Sequence, residues 1–145
     1  MKKKAHPNKL AEKFRAAGFK MTPQRIAVFE FLEGNTSHPS AHEVFKTIKR
    51  RFPSTSFATI YNTLNAVQEI GIIQQLSLDP GKRHYDPDTS PHHHIRCLEC
   101  QRIDDVGLEK LGGFNVDSFE LNDYQLTGFS VDFHGVCPRC RAKGH

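Results

Sequence analysis

The sequence predicts an α+β chain in two parts, a helical front part that ends in a β-hairpin and a small mixed part behind it. Three observations predict this division of the 145 residues. Apolar side chains recur at helical spacing in four successive segments. Two strand-like segments then flank an Asp-Pro-Gly turn. Two Cys-x-x-Cys pairs follow, of the kind that stabilises a unit too small for a large hydrophobic core.

The second and third helices are marked by their first residues. Thr22 and Pro23 are the expected N-cap and first residue of the second helix, in "TPQRIAVFEFLEG". Ser40 and Glu43 have the spacing of a capping box at the start of the third helix, "SAHEVFKTIKRRF". The predicted inward faces of the first three helices are Leu10, Phe14 and Ala17, then Ile26, Phe29 and Leu32, then Val44, Phe45 and Ile48.

The fourth helix, in "STSFATIYNTLNAVQEIG", has a polar face that is almost uncharged. Its predicted core stripe is Phe57, Ile60, Leu64 and Val67, and its opposite face is Thr59, Tyr61, Asn62, Asn65 and Gln68. Amides and hydroxyls on one face suit the major groove of DNA, where they can meet base edges. A face exposed only to water is the alternative interpretation.

The segments "IIQQLSL" and "KRHYD" read as two strands of a hairpin around the turn "DPG". Helices followed by a hairpin predict a winged helix-turn-helix, in which Lys82 and Arg83 would contact phosphate. Residues 1–88 carry 14 Lys and Arg against 8 Asp and Glu, whereas residues 89–145 carry 6 against 8. The front part is therefore the candidate for binding a polyanion.

The predicted domains are a winged-helix domain over residues 1–85, a hinge over 86–91 and a second domain over 92–145. The hinge "DPDTSP" has two prolines and no apolar residue. In the second domain, "HHHIRCLEC" and "RIDDVG" predict short strands, "NVDSFELNDY" a short helix and "QLTGFSVDFHGVC" a further strand. A unit of this size needs a stabilising element, a partner or both.

The four cysteines predict that stabilising element. The amino-terminal "MKKKAHPNKL" has no apolar core after its lysines, so it is not a secretory signal, and no apolar run reaches the ~20 residues that cross a bilayer. A cytoplasmic protein is expected, and there paired thiols more often bind metal than form disulfides. The predicted structural Zn(II) site is Cys97, Cys100, Cys137 and Cys140. A redox pair or a disulfide framework is the rival interpretation.

The three consecutive histidines suggest a second metal. In an extended strand, His92 and His94 point the same way and could share one ion, whereas His93 points the opposite way. Asp105 follows on the next strand, Asp86 lies in the hinge and His38 in the loop before the third helix. A mixed nitrogen and oxygen set suits iron(II), manganese(II) or zinc more than copper(I).

These residues carry a resemblance to the Fur family of metal-dependent bacterial repressors, most closely to its peroxide-sensing PerR branch. The chain resembles that family from about residue 8 to residue 141, through "MTPQR", "HPSAHEVF", "FPSTSFATIYNTL", "GII", "HHHIRCLEC" and "GVCPRC". The resemblance implies a homodimer that binds a pseudo-palindromic, double-stranded DNA operator, and it implies no enzymatic activity.

The resemblance also assigns residues. It implies structural zinc at the four cysteines and a regulatory Fe(II) or Mn(II) site made of His38, Asp86, His92, His94 and Asp105. It places Lys20 in the minor groove, Arg25 on backbone phosphate, and Tyr61 with its neighbour Asn62 at the bases; Thr59 shares their face. The closed, metal-bound form would present two recognition helices to the operator.

The aspartates at positions 86 and 105 resemble the peroxide-sensing branch, because iron sensors commonly carry glutamate at the Asp86 position. That branch implies oxidation of His38 or His92 to 2-oxo-histidine by peroxide and iron, followed by loss of metal and of DNA. Many relatives have a further site built on a histidine where Phe129 stands here, and Phe129 cannot coordinate metal. His93 is left with an incomplete set.

Three alternatives stay open. An iron-uptake or other metal-uptake regulator would respond to metal availability alone. A structural zinc module without regulation would leave the match of His38 and Asp86 unexplained. A zinc hydrolase or deaminase would need a glutamate after its histidine, and "HIR" has none.

Overall fold

The computed structural model describes residues 8–79, 82–112, 121–126 and 129–144. They form two compact units, of which the first ends at Thr89 and the second begins at Ser90. The elements of the first unit are α1 (Lys9–Ala16), α2 (Pro23–Leu32), α3 (Ala41–Arg51), α4 (Phe57–Glu69), β1 (Gln74–Asp79) and β2 (Lys82–Asp86). Those of the second are β3 (His93–Cys97), β4 (Ile103–Val106), a 3-10 helix (Leu108–Leu111), β5 (Asp132–Gly135) and α5 (Pro138–Ala142).

The helices of the first unit begin where the sequence predicts, because local side chains cap them. The N-caps of α1 to α4 are Asn8, Thr22, Ser40 and Ser56, and each side chain accepts a hydrogen bond from the backbone N–H three residues later. Ser40 and Glu43 form the predicted capping box. Gly71, at φ 76°, takes the left-handed conformation that ends α4 and turns the chain towards β1.

One hydrophobic core joins the four helices to the hairpin. Its fully buried members include Phe14, Phe29, Leu32, Val44, Ile60, Leu64, Val67 and Tyr85. Two of the predicted inward residues are wrong. Ala17 is exposed because α1 ends at Ala16, and Ile26 is 36% exposed because α2 turns Ala27 and Val28 inwards instead. In a helix that is apolar on most sides, periodicity alone does not choose the buried face.

The hairpin is held along both edges of β2. On one edge β2 pairs antiparallel with β1, with Leu76 opposite His84. On the other edge the backbone N–H of Tyr85 donates to the carbonyl of Pro39 at 2.9 Å, and Ser40 bridges to His84. The tip of the predicted turn, residues 80–81, lies outside the described residues. β2 is thereby fixed to the loop that precedes α3.

The second unit is a three-stranded sheet in the order β4-β3-β5, with β5 parallel to β3. The predicted strands around "HHHIRC" and "RIDDV" are present, but of the predicted last strand the described residues form only Asp132–Gly135 as a strand, and residues 127–128 lie outside the described ranges. The predicted helix "NVDSFELNDY" lies mostly outside the described residues, and its described part, residues 121–124, is not helical. No helix in the part of the chain described here combines the length and apolarity needed to cross a bilayer.

Candidate metal centres and nucleic-acid interface

Four cysteines converge at one end of the second sheet. Cys97 ends β3, Cys100 lies in the turn after it, Cys137 caps α5 and Cys140 lies within that helix. All four are free thiols, their sulfurs lie within 4.8 Å of one another, and those of Cys100 and Cys137 are 3.8 Å apart. Tetrahedral zinc with Zn–S bonds of about 2.3 Å separates its sulfurs by about 3.8 Å. The cluster therefore fits a closed four-sulfur zinc site.

The thiols of this cluster differ in acidity. Backbone N–H groups of Cys100 and Cys137 lower the pKa of Cys97 to about 6. A hydrogen bond with the neighbouring Cys137 side chain holds the thiol proton of Cys140 and raises the pKa of Cys140 to about 12. A divalent cation stabilises all four thiolates in place of such protons, so metal affinity at this cluster depends on pH.

His38 and Asp86 form a buried pair within the first unit. His38 Nε2 lies 3.4 Å from Asp86 Oδ2, and both side chains are almost inaccessible to water. His38 has φ 53°, in the left-handed region that residues other than glycine rarely adopt. The Nδ1–H of His84 donates to the carbonyl of His38 at 2.7 Å, and the N–H of Tyr85 donates to that of Pro39. The histidine is thus held in an uncommon conformation by the strand that carries Asp86.

A second cluster, made of His92, His94 and Asp105, lies within the second unit. Asp105 Oδ1 is 3.2 Å from His92 Nε2 and 3.5 Å from His94 Nε2. The two imidazole rings are 4.5 Å apart between centroids, and Asp105 stands opposite His94 in the β3–β4 ladder. Strand alternation and register therefore bring these three side chains together.

The protonation pattern of His92 favours a cation in this cluster. Its Nδ1 lies 2.7 Å from the carbonyl of Ser90, which can only accept, so Nδ1 carries the proton. The lone pair of a neutral ring is then on Nε2, facing the carboxylate of Asp105. Two acceptors at this distance need a proton or a metal ion between them. Metal-binding histidines commonly donate their other ring N–H to a backbone carbonyl in this way.

His93 points to the opposite face, as the alternation predicts. It is fully buried, its Nδ1 accepts from the N–H of Val131 at 3.0 Å, and its ring lies 5.5 Å from that of Phe129. Phe129, which offers no ligand atom, thus occupies a place next to His93.

The predicted nucleic-acid face of α4 is accessible. Thr59 and Asn62 are exposed and Tyr61 is half-buried. The backbone N–H of Thr59 donates to the side chain of Ser56, the N-cap of α4, so Thr59 lies in the first turn of the helix. Tyr61 Oη accepts a hydrogen bond of 2.9 Å from Arg83 Nη1. Polar groups and the wing cation are therefore side by side on this surface.

Lys20 and Arg25 lie near the start of α2. Lys20 is exposed, and the Arg25 guanidinium donates to its backbone carbonyl. The same guanidinium lies 5.5 Å from the centroid of the Phe14 ring. Arg25 thus holds the segment that carries Lys20 in place.

Two contacts at these sites were missed from the sequence. His84 supports His38 from 46 residues away, and Arg83 contacts Tyr61 from 22 residues away. Alternation along β2 puts His84 on the face of Asp86, which is the one sequence signal that pointed to it.

A winged helix with a polar recognition face, joined to a unit with a four-cysteine cluster, is the architecture of a metal-dependent DNA-binding regulator. The model of the Ferric uptake regulator family matches residues 16–134, well over half of the chain. The chain belongs to the Ferric uptake regulator (Fur) family. The predicted resemblance and the fold class are thereby confirmed.

Individual relatives agree. The peroxide-responsive repressor PerR of Staphylococcus epidermidis is 34% identical over 131 residues, which is 90% of this chain and 87% of the relative. The iron-bound Ferric uptake regulator of Francisella tularensis superposes with a TM-score of 0.67 at 27% identity, covering 86% of this chain and 96% of the other. The Campylobacter jejuni peroxide stress regulator gives 0.61 at 28% identity, covering 90% and 96%.

Family membership settles the broad function. Fur family proteins are metal-dependent transcription regulators that bind DNA as dimers, so operator DNA and a second copy of the chain are the expected partners. The chain is a regulator and not an enzyme, as the sequence predicts.

Proposed function

We propose that this protein is a peroxide-responsive repressor that binds operator DNA when its regulatory site holds iron(II) or manganese(II). The observation that carries the proposal is the arrangement of His92, whose Nε2 lone pair faces the carboxylate of Asp105 while its Nδ1–H is committed to a carbonyl. The imidazole nitrogen and the carboxylate could both coordinate one divalent cation, and such nitrogen and oxygen donors suit iron(II) and manganese(II). The PerR relative supports the peroxide branch.

We propose two metal sites. Cys97, Cys100, Cys137 and Cys140 would hold structural zinc, and the regulatory ligands would be His38, Asp86, His92, His94 and Asp105. The supporting facts are local to each unit: the thiols cluster, His38 pairs with Asp86, and two histidines share Asp105. An ion that binds groups from both units would favour one arrangement of them, and thereby one spacing of the recognition helices of a dimer.

The proposed division of labour follows the predicted domains. Residues 1–85 would bind DNA, 86–91 would serve as the hinge, and 92–145 would dimerise and sense. Asp86 is the last residue of β2, so a ligand would stand at the junction itself. The protein would act in the cytoplasm, where a bacterial regulator meets its DNA.

On DNA, we propose that Tyr61, Asn62 and Thr59 meet base edges from α4. Lys20 would enter the minor groove and Arg25 would contact backbone phosphate. The first three are supported by the accessibility of the α4 face, and two such faces in a dimer would match a pseudo-palindromic operator. Tyr61→Ala should weaken binding to a selected duplex more than to a scrambled duplex of the same length. Equal losses on both duplexes would mean that Tyr61 does not read bases.

Oxidation would end repression. When bound, iron(II) supplies the electron that cleaves the O–O bond of hydrogen peroxide. Overall, His38 or His92 would gain one oxygen atom at Cε1, the carbon between the two ring nitrogens, and the second peroxide oxygen would leave as water. The resulting 2-oxo-histidine no longer offers an imidazole ligand, so the ligand set loses a member. Mass spectrometry of peptides from iron-loaded, peroxide-treated protein should find one added oxygen on His38 or His92, and oxygen found only on other residues would refute this step.

His92→Ala tests the regulatory site directly. The variant should keep its zinc and bind DNA only weakly whatever the manganese concentration, because the lone pair that faces Asp105 is gone. A suitable probe is a duplex selected from random sequences by the manganese-loaded protein. The matched control is His134→Ala, since His134 is an exposed histidine on β5. Normal metal activation of His92→Ala would remove His92 from the site.

A metal-uptake regulator is the second candidate, and the iron-bound structural relative favours it. It would share both metal sites and the DNA face. It would differ in keeping its histidines intact and its DNA bound when peroxide is added.

A further inference from the structure

A side-chain hydrogen bond joins the β1–β2 hairpin, which is the wing, to α4, the proposed recognition helix. The Nη1 of Arg83, in β2, donates to the hydroxyl of Tyr61, in α4, at 2.9 Å. The two residues are 22 positions apart and belong to different elements. A charged donor on a neutral hydroxyl makes a stronger bond than two neutral groups would.

Arg83 lies next to a stretch of β2 that is bonded on both edges, at the point where the register with β1 is irregular. Its neighbour His84 pairs with Leu76 of β1, and Tyr85 pairs with Gln75. On the other edge, the N–H of Tyr85 donates to the carbonyl of Pro39. Because both edges of β2 are bonded within two residues of Arg83, the backbone on its carboxyl side is restrained.

Tyr61 is held from a second side. Its ring lies 6.0 Å from that of Phe57, one helical turn earlier, at an interplanar angle of 26°. A cleft of about 320 Å³ opens beside it, lined by Ser40, His42, Phe57, Tyr61, Lys82 and Arg83. Phe57 therefore limits the tilt of the ring, and Arg83 fixes the position of its hydroxyl.

We propose that Arg83 is a positioning residue for Tyr61 and thereby a determinant of sequence discrimination by α4. The guanidinium occupies an acceptor site of the tyrosine hydroxyl, so the hydroxyl hydrogen and the ring edge are presented in one orientation. A reading group held in place loses less conformational freedom when it meets its base than a mobile one does. This inference rests on the proposed role of Tyr61 at the bases.

The competing role for Arg83 is a simple phosphate contact. An exposed wing cation of that kind adds affinity for any duplex and does not affect the choice of sequence. Lys82 offers the matched comparison, because it is the adjacent exposed cation on β2 and borders the same cleft, whereas the hydrogen bond to the Tyr61 hydroxyl comes from Arg83.

The test uses the full-length, manganese-loaded dimer and two duplexes, the selected one and its scrambled version. Arg83→Met and Lys82→Met each remove one charge and keep an unbranched stem. Lys82→Met should weaken binding to both duplexes by the same factor. It should also reduce the slope of log affinity against log salt concentration by about one. Arg83→Met should in addition lower the ratio of selected to scrambled affinity by about tenfold, within the range that one good base contact supplies. Equal ratios for the two variants would overturn the proposal.

A double-mutant cycle separates positioning from independent contacts. Tyr61→Phe keeps the ring but removes the acceptor of Arg83, so it should lower the same ratio. The double variant Arg83→Met with Tyr61→Phe should then be no worse than the more affected single variant. Additive losses would show that the two residues act separately. Thermal unfolding of each variant should stay close to the parent, since Arg83 is exposed and Tyr61→Phe keeps the half-buried ring in place.

The proposed function and this inference fail in different ways. If Tyr61→Ala leaves the affinity ratio unchanged, Tyr61 reads no base, and both the assignment of Tyr61 and the role of Arg83 are overturned. If Tyr61→Ala lowers the ratio and Arg83→Met does not, only the positioning role is lost.

Discussion

The described residues of the first unit bury 16 apolar side chains, whereas those of the second unit bury three, and two of those are Cys97 and Cys140. The third is Ile103. Large exposed apolar residues show the reverse distribution in the described ranges, because eight of the ten found there lie in the second unit. One unit thus has a hydrophobic core of its own, and the other exposes apolar surface around a cluster of thiols.

The two units therefore differ in what stabilises them. Burial of apolar area stabilises the first unit whatever the metal content of the cell. The second unit has little such burial among its described residues, so we expect zinc at the proposed cysteine site and the apolar surface of a partner to supply the rest. The proposed sensing unit would then respond to the loss of metal, while the first unit, with its own core, would keep its fold.

The largest effect is expected at the cysteine cluster. Cys97→Ser removes one of the four proposed zinc ligands and should forfeit most of the roughly 10 kcal/mol that a structural zinc site contributes at neutral pH. The second unit should unfold and the protein become monomeric, while the helical signal of the first unit persists. Light scattering and zinc analysis measure this, with His134→Ser as control. A stable, zinc-free dimer would show that the second unit does not depend on zinc for its fold.

A large but smaller effect is expected in the core of the first unit. Phe29 is fully buried and lies 5.0 Å from the Phe14 ring, centroid to centroid. Phe29→Ala should lower the free energy of unfolding of this unit by about 3–5 kcal/mol. Zinc content should stay at the parental level, because the cluster lies wholly in the other unit. Parallel loss of zinc would mean that the two units do not fold independently.

A stabilising change of about 1 kcal/mol is expected at Tyr85. Its hydroxyl is buried without a hydrogen-bond partner among the described residues, and burial raises its pKa above the usual 10.0. Tyr85→Phe should raise the melting temperature. Since the raised pKa favours folding below pH 10 and loses that effect as pH rises through the folded value, the advantage of the variant should grow in alkali.

Tyr61→Phe is the matched comparison for Tyr85→Phe. Its hydroxyl has a partner in Arg83, so its removal should leave stability unchanged or slightly lower. An equal gain from both substitutions would show that the missing partner of Tyr85 does not explain the effect.

Local signals made most of the first unit predictable. Ser40 and Glu43 marked the start of α3, and the stripe through Ile60, Leu64 and Val67 marked the inner face of α4. The errors at Ala17 and Ile26 arose where helix ends and an all-round apolar sequence leave the face undefined.

The second unit was less predictable because fewer local rules apply. α5 has only five residues, too few for periodicity, and the 3-10 helix Leu108–Leu111 has no side-chain cap. The cysteine spacing nevertheless predicted the cluster, since two Cys-x-x-Cys pairs need to meet to close one tetrahedron. Contacts such as that of Arg83 with Tyr61 depend on how distant elements pack, which spacing along the chain does not encode.

The most direct test of the account is DNA binding by the metal-loaded protein before and after brief exposure to hydrogen peroxide without oxygen. The probe is the duplex selected with manganese, and the manganese-loaded protein is the control. The iron form alone is expected to release the duplex, with one oxygen gained by His38 or His92 and with zinc kept in place. Retention of DNA by both forms, with release only when metal is withdrawn, would contradict peroxide sensing and identify a metal-uptake regulator.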